Sequence, residues 1–262
     1  MNLNNIKINI DDDDIINFII KPNNLNINNE VINDFQKAID YIASEKSVAG
    51  VIISTEHNNY NFNYDLNYLY SLNEPVLIFE NITKLSKSLR KLETLGKPIV
   101  SLISGPVSLG GLEIILHSHY KIADAESETQ FIFKNLKYEL IPSIGASQRL
   151  PRKIGIEQSL ELFLNDKIIN TEDALKIKLI DKISPKDKLI EHAKEYILNN
   201  LIAVQPWDDK KHINKQPTPF SNDNLGYFIS KIAMLHSNTS DHYPSVKTLI
   251  SSVYEGLNTD MN

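Results

Sequence analysis

Apolar and polar residues alternate over Lys7-Ile8-Asn9-Ile10, stop at the aspartate run Asp11 to Asp14, and resume as the apolar run Ile15 to Ile20. Two strand-like runs around a solvated turn predict a β-hairpin. Pro22-Asn23-Asn24 then breaks the chain. From Glu30 to Glu45 the apolar residues Val31, Ile32, Phe35, Ala38, Ile39, Ile42 and Ala43 recur at helical spacing. Gly50 to Ser54 reads as a buried strand, Leu77 to Leu95 as a helix with Ile78, Ile82, Leu85, Leu89 and Leu92 on one side, and Pro98 to Ile103 as the next strand. Strands alternating with helices predict an α/β fold with crossover helices. The pattern alone leaves an ordinary doubly wound sheet open. Further on, Lys186 to Leu201, Tyr227 to Leu235 and Ser245 to Leu257 carry helical periodicity, separated by the Pro206, Pro217 and Pro219 punctuation of a linker-like stretch.

Composition narrows the function classes. The 262 residues are 42% hydrophobic and 23% charged, ordinary for a globular protein. A net charge of -6 argues against a nucleic-acid partner. The absence of cysteine excludes disulfides, thiolate nucleophiles and Cys-based zinc sites. No secretory signal is visible at Met1 to Lys7, and no apolar run approaches the ~20 residues of a membrane span. A soluble, cytoplasmic protein without membrane attachment is the expectation. No Gly-x-Gly-x-x-Gly occurs, so a Rossmann dinucleotide site is unsupported.

The chemistry concentrates between Lys97 and Arg152. The strand Lys97-Pro98-Ile99-Val100-Ser101-Leu102-Ile103 leads to Ser108-Leu109-Gly110-Gly111-Leu112-Glu113, and Ile141-Pro142-Ser143-Ile144-Gly145-Ala146-Ser147-Gln148-Arg149-Leu150-Pro151-Arg152 closes the stretch. A strand, a glycine pair opening a helix and a carboxylate in its first turn place anion-stabilising N–H groups beside an acid/base. Alone, Gly-Gly-x-Glu is weak, because a glutamate in a first turn commonly serves the helix dipole. The order and spacing of the whole stretch resemble the enoyl-CoA hydratase/isomerase (crotonase) family. Gly155 to Leu162, Ile168 to Leu175 and Leu179 to Lys182 continue that resemblance, which covers roughly residues 1–190. Gln205-Pro206-Trp207-Asp208, His242-Tyr243-Pro244 and Val253-Tyr254-Glu255-Gly256-Leu257 look like the segment joining hydratase to dehydrogenase in bifunctional fatty-acid oxidation proteins.

The resemblance implies a crotonase-like ββα spiral core over 1–190 and a helical C-terminal extension over 191–262. It implies an acyl-CoA thioester as substrate, with no metal and no redox cofactor. The family's first catalytic glutamate falls on Glu113 and its oxyanion N–H on Gly110, where a side chain would block the thioester. Gly111 and Asp65 fall on neighbouring positions of the ligand-binding motifs. The family's small Gly-Ala-Asp falls on Asn63-Tyr64-Asp65, so Tyr64 keeps a backbone N–H for the oxyanion but adds a ring in the thioester's path. The second catalytic glutamate falls on Asn135, which cannot exchange a proton; losing one acid/base removes about 10²–10⁴-fold in rate. The expectation is enoyl-CoA hydratase/isomerase chemistry in fatty-acid β-oxidation, reduced in rate, with Glu113 facing a cavity. The alternative is a degenerate pseudoenzyme that binds acyl-CoA or serves as a scaffold subunit. The chain stops about where a dehydrogenase half begins in the bifunctional proteins. That implies a separately encoded 3-hydroxyacyl-CoA dehydrogenase as partner, or self-association, to cover Tyr227, Phe228, Ile232, Leu249, Ile250 and Val253 unless they fold back on the core.

Other residues take plainer readings. His117-Ser118-His119 lacks a third ligand nearby and reads as structural. Ser104, Ser108 and Ser147 lack a nucleophile elbow. Arg149, Arg152 and Lys153 are candidates for CoA phosphates or for capping and ion pairing. Glu139 reads as a solvated charge rather than a substitute acid, and Trp207 as a packing anchor.

Overall fold

The computed structural model describes residues 1–22, 25–126, 128–133, 136–165, 167–209, 217–239 and 242–261. β1 (Ile6–Ile10) and β2 (Ile15–Ile20) pair antiparallel, forming the expected hairpin. Asp11 Oδ1 accepts the N–H groups of Asp13 and Ile15 in its turn. There follow β3 (Leu25–Ile27), α1 (Asn29–Ser44), β4 (Gly50–Thr55), β5 (Phe62–Tyr64), α2 (Leu66–Ser71), α3 (Pro75–Glu93), β6 (Ile99–Ile103), α4 (Leu109–Ile115), β7 (Tyr120–Asp124) and β8 (Gln130–Ile132). Then come α5 (Ala146–Ile154), α6 (Ile156–Leu164), β9 (Ile168–Asn170), α7 (Thr171–Lys176), β10 (Lys182–Ser184), α8 (Leu189–Asn199), α9 (Asn222–Thr239) and α10 (Pro244–Gly256).

The main sheet has the order β1-β2-β4-β6-β7-β10, and every pair but the first is parallel. A second layer lies across the spiral. β3 pairs with β5, Tyr60 bridges Val107, Val107 bridges Phe131, and β8 pairs with β9. The turns opened by β2, β4, β6 and β7 each give one strand to the main sheet, then a short strand or bridge to the second layer, and then a helix. This is a crotonase-type α/β spiral with a helical C-terminal segment. The doubly wound alternative fails because the second layer, absent from that fold, returns in four successive turns.

Local sequence accounts for the helices. Asn28 caps α1 by accepting the Val31 N–H at 3.1 Å. Val31, Ile32, Phe35, Ala38, Ile39 and Ile42 then form its buried face, the stripe that the periodicity predicts. Full burial of a side chain such as Phe35 contributes about 1.5–3 kcal/mol. α3 starts at Pro75, a position where a missing N–H costs nothing, and buries Leu85, Leu89 and Leu92.

The C-terminal third is tied to this core. Leu189, Ala193 and Ile197 of α8 pack with Ile15, Ile52, Val100 and Ile122 on the outer face of the main sheet. The boundary read at residue 190 therefore falls inside a helix that closes the sheet. Gln205 donates to the carbonyls of His117 and Ser118, and Asp208 accepts two hydrogen bonds from Arg90 at 2.7 and 2.5 Å. Trp207, buried beside them, anchors this docking. Phe228, Leu249, Ile250 and Val253 fold back into the core, while Ile229 and Ile232 stay 61% and 44% exposed.

Candidate active site

Glu113 sits on α4, whose first turn is pressed against β5 and the chain before it. A Cβ built on Gly110 would lie 2.4 Å from the Phe62 carbonyl oxygen, and one on Gly111 would lie 2.1 Å from that of Tyr60. The glycine pair therefore serves a close helix–strand approach. This gives the glycines a packing role beside the one that the resemblance implies for Gly110. Ser108, the N-cap residue of α4, donates its hydroxyl to the Phe62 carbonyl and locks the same contact.

This approach brings Tyr64 onto Glu113. The Tyr64 hydroxyl donates to Glu113 Oε2 at 2.5 Å and lies 2.7 Å from Ser143 Oγ. The Ile144 N–H donates to Glu113 Oε1, also at 2.5 Å. Glu113 is 0% exposed, so no water-sized space touches it. The expectation that Glu113 faces a cavity is corrected: its carboxyl is buried and taken up by the Tyr64 hydroxyl and the N–H groups of the 143–146 turn.

Burial pushes the Glu113 carboxyl up to about 7, against the Tyr64 hydroxyl and the N–H groups of Ile144, Ala146 and Ser143, which favour its charged form. Those N–H groups belong to the turn and the start of α5, where the helix dipole also favours negative charge. The Tyr64 phenol is pushed well above its ordinary range by burial and by the neighbouring carboxylate, so it stays protonated near neutrality.

Ser143 also borders a cavity of about 680 Å³, walled by Ile78, Phe79 and Ile82 of α3, by Gln148 of α5 and by Met261. Lys87, Arg90 and Arg149 line it as well. Arg149 is held by Glu93 through Nε at 2.9 Å and Nη2 at 2.5 Å, and Arg90 bridges Glu93 and Asp208. Burial alone would raise Glu93, but the guanidinium of Arg149 holds it down at about 2. Arg152 donates to the carbonyls of Gly256 and Thr259, and Lys153 pairs with Asp181. Arg149, Arg152 and Lys153, the candidates for CoA phosphates, are thus used in capping and pairing.

The remaining predicted residues take structural partners. Asp65 caps α2 by accepting the Tyr68 N–H at 3.0 Å. Glu139 is exposed and accepts the Ser245 N–H at the start of α10. His117 Nδ1 lies 2.7 Å from the Glu113 carbonyl oxygen, and His119 Nδ1 accepts the Ile99 N–H. Asn135 lies outside the described residues. Sequence reasoning missed the Tyr64 hydroxyl and Ser143 as partners of Glu113. The available signal was Tyr64 itself, a large side chain with a polar tip in a position read only for its backbone.

The family model described as enoyl-CoA hydratase/isomerase matches residues 16–241. The fatty acid oxidation complex subunit alpha of Shewanella frigidimarina (strain NCIMB 400) is 31% identical over 173 residues, 65% of this chain and 24% of that protein. The same-named protein of Idiomarina loihiensis is 28% identical over 222 residues, 82% of this chain and 30% of that protein. The chain thus spans less than a third of the length of these relatives. Among solved structures, the enoyl-CoA hydratase from Bacillus halodurans superposes with a TM-score of 0.65 at 24% identity, covering 97% of this chain and 93% of that one. The enoyl-CoA hydratase/isomerase from Cupriavidus metallidurans CH34 gives a TM-score of 0.70 at 14% identity, covering 91% and 90%. These likenesses show the shared fold. The family match runs from β2 through α9 and includes both Tyr64 and Glu113, and the chain belongs to the enoyl-CoA hydratase/isomerase family.

Proposed function

We propose that this chain handles acyl-CoA thioesters as a weak enoyl-CoA hydratase/isomerase of fatty-acid oxidation, with Glu113 as its acid/base and backbone N–H groups at Gly110 and Tyr64 as the oxyanion donors. The carrying observation is the buried Glu113 carboxyl, raised to about 7, where a general acid/base is most effective. Glu113 alone moves one proton, which suits shifting a double bond. Adding water needs a second group, and Asn135 stands where the family keeps it. Coenzyme A enters as part of the substrate, and no metal or redox cofactor is invoked.

A second reading has its own observation. Glu113 is fully buried with the Tyr64 hydroxyl on its carboxyl, which favours an acyl-CoA-binding or scaffold subunit without catalysis. Calorimetric titration with crotonyl-CoA, followed by analysis of the recovered thioester, separates the two. Binding with slow conversion supports the first, binding without conversion the second, and no binding removes acyl-CoA from both.

The exposed apolar positions Leu225, Ile229, Ile232 and Met234 on α9 support a partner on that face, a 3-hydroxyacyl-CoA dehydrogenase or a second copy. Light scattering after size exclusion and co-purification from the native cell test this. A strict monomer with no co-purifying protein removes the partner.

A further inference from the structure

We propose that Glu113 exchanges its proton with the cavity through a two-hydroxyl relay, Tyr64 and then Ser143. Glu113 is sealed from solvent, yet a chain of hydrogen bonds leads from it to open space. Glu113 Oε2 to Tyr64 Oη is 2.5 Å, Tyr64 Oη to Ser143 Oγ is 2.7 Å, and Ser143 borders the cavity beneath α3. Both hydroxyls can donate and accept, which a relay requires.

The step balances without any ionised tyrosine. The Glu113 O–H proton moves to Tyr64 Oη as the Tyr64 proton moves to Ser143 Oγ and the Ser143 proton passes to a base in the cavity, a water or a bound ligand. Three O–H bonds break, at Glu113, Tyr64 and Ser143, and three bonds to hydrogen form, at Tyr64, Ser143 and the base, so the only net change is a proton leaving Glu113 and arriving in the cavity. Protonation runs in reverse. Each hydroxyl must then turn over to restore the starting direction, as happens in hydrogen-bonded chains. The carboxyl's elevated protonation range makes the same path usable in both directions near neutrality. Tyr64, which closes the direct approach to Glu113, is on this reading the route by which it acts.

The relay rests on Glu113 being the proton-exchanging group of the proposed function, so its test uses no substrate. The protonated Glu113 carboxyl has a C=O infrared band, identified by its loss in Glu113→Gln. Rapid transfer of the full chain from water to D2O at pH 5.5 shifts that band as the proton is replaced. The native chain is expected to exchange at least ten-fold faster than either Tyr64→Phe or Ser143→Ala. Tyr64→Phe keeps the ring and so the seal, while a merely loosened fold would speed exchange rather than slow it. Equal or faster exchange in both variants overturns the relay. So does slowing in only one of them, or the absence of any protonated band between pH 5 and 7. Slowed exchange together with no conversion of crotonyl-CoA leaves the relay standing and removes the proposed function alone.

Discussion

The Tyr64 hydroxyl reaches Glu113 at 2.5 Å across a gap of 49 residues in the chain. One side chain comes from β5 and the other from α4, and the contact depends on Gly110 and Gly111 letting these elements meet. Tyr64 both seals the carboxyl and supplies its main side-chain hydrogen bond. Shortening Tyr64 is therefore expected to have opposite effects on stability and on access. Tyr64→Ala leaves a cavity in a packed core and is expected to cost about 3–5 kcal/mol by urea denaturation. It is also expected to tighten crotonyl-CoA binding, since the space beside Glu113 opens. Unchanged affinity in a folded variant would remove Tyr64 as the barrier.

Glu113 titrates at about 7 in the folded chain against an ordinary 4.5. A raised carboxyl pKa means that stability is fully present below 4.5 and is lost as pH rises through 7. Glu113→Gln removes this cost. The variant is expected to gain stability relative to the native chain between pH 5 and pH 8, measured by chemical denaturation at both. A constant difference across that range would show that Glu113 is already ionised.

Acid acts on a different group of residues. Burial pushes His117 down to about 3 and His119 to about 4, from an ordinary 6.5. Their neutral forms are favoured in the fold, so stability is lost as pH falls below 6.5 and the unfolded histidines take up protons. Glu93, held at about 2, adds to the loss below pH 4.5. The two histidines outweigh the opposing gain from Glu113, so a net fall in the denaturation midpoint between pH 6.5 and 4 is expected, and it should be smaller in His117→Gln. An equal slope in that variant would mean that His117 is not held neutral.

Arg149 is 3% exposed and its guanidinium is taken up by Glu93. Arg149→Leu leaves a buried carboxylate without that partner and is expected to cost about 3–5 kcal/mol. Adding Glu93→Gln should recover part of this. A cost below about 1 kcal/mol, the size of an exposed pair, would contradict the buried linkage.

Much of the fold was legible in the sequence because long elements repeat their pattern. The α1 face from Val31 to Ile42 and the hairpin around Asp11 needed no partner to be read. β3, β5 and β8 are three residues each, too short to show a period, and the turn-by-turn second layer emerges only when they are placed together. Part of the site was legible as positions: of the residues singled out, Tyr64 does reach Glu113. What the glycines do was not legible, because their neighbours are the carbonyls of Tyr60 and Phe62, about fifty positions earlier in the sequence. The Tyr64–Ser143 contact spans 79 residues and likewise has no local signature. Arg149 was open between phosphate binding and ion pairing until Glu93 was seen beside it.

The reading that Asn135 takes the place of the family's second glutamate, which the sequence resemblance implies, makes a prediction of its own. Asn135→Glu restores a proton-transfer group at the family's position. Combined with Tyr64→Ala, it is expected to raise crotonyl-CoA hydration by about 10²-fold or more, the lower end of what one acid/base contributes. No gain in the folded double variant would place the defect elsewhere.

Steady-state hydration of crotonyl-CoA by the unmodified chain, run beside an active hydratase of the family, tests the central claim most directly. A single acid/base sealed by Tyr64 predicts kcat/KM at least about 10²-fold below the reference enzyme, the size of effect expected from one absent acid/base. It also predicts that the remaining rate disappears in Glu113→Gln. Activity equal to the reference enzyme, or a rate that survives Glu113→Gln, would contradict the account.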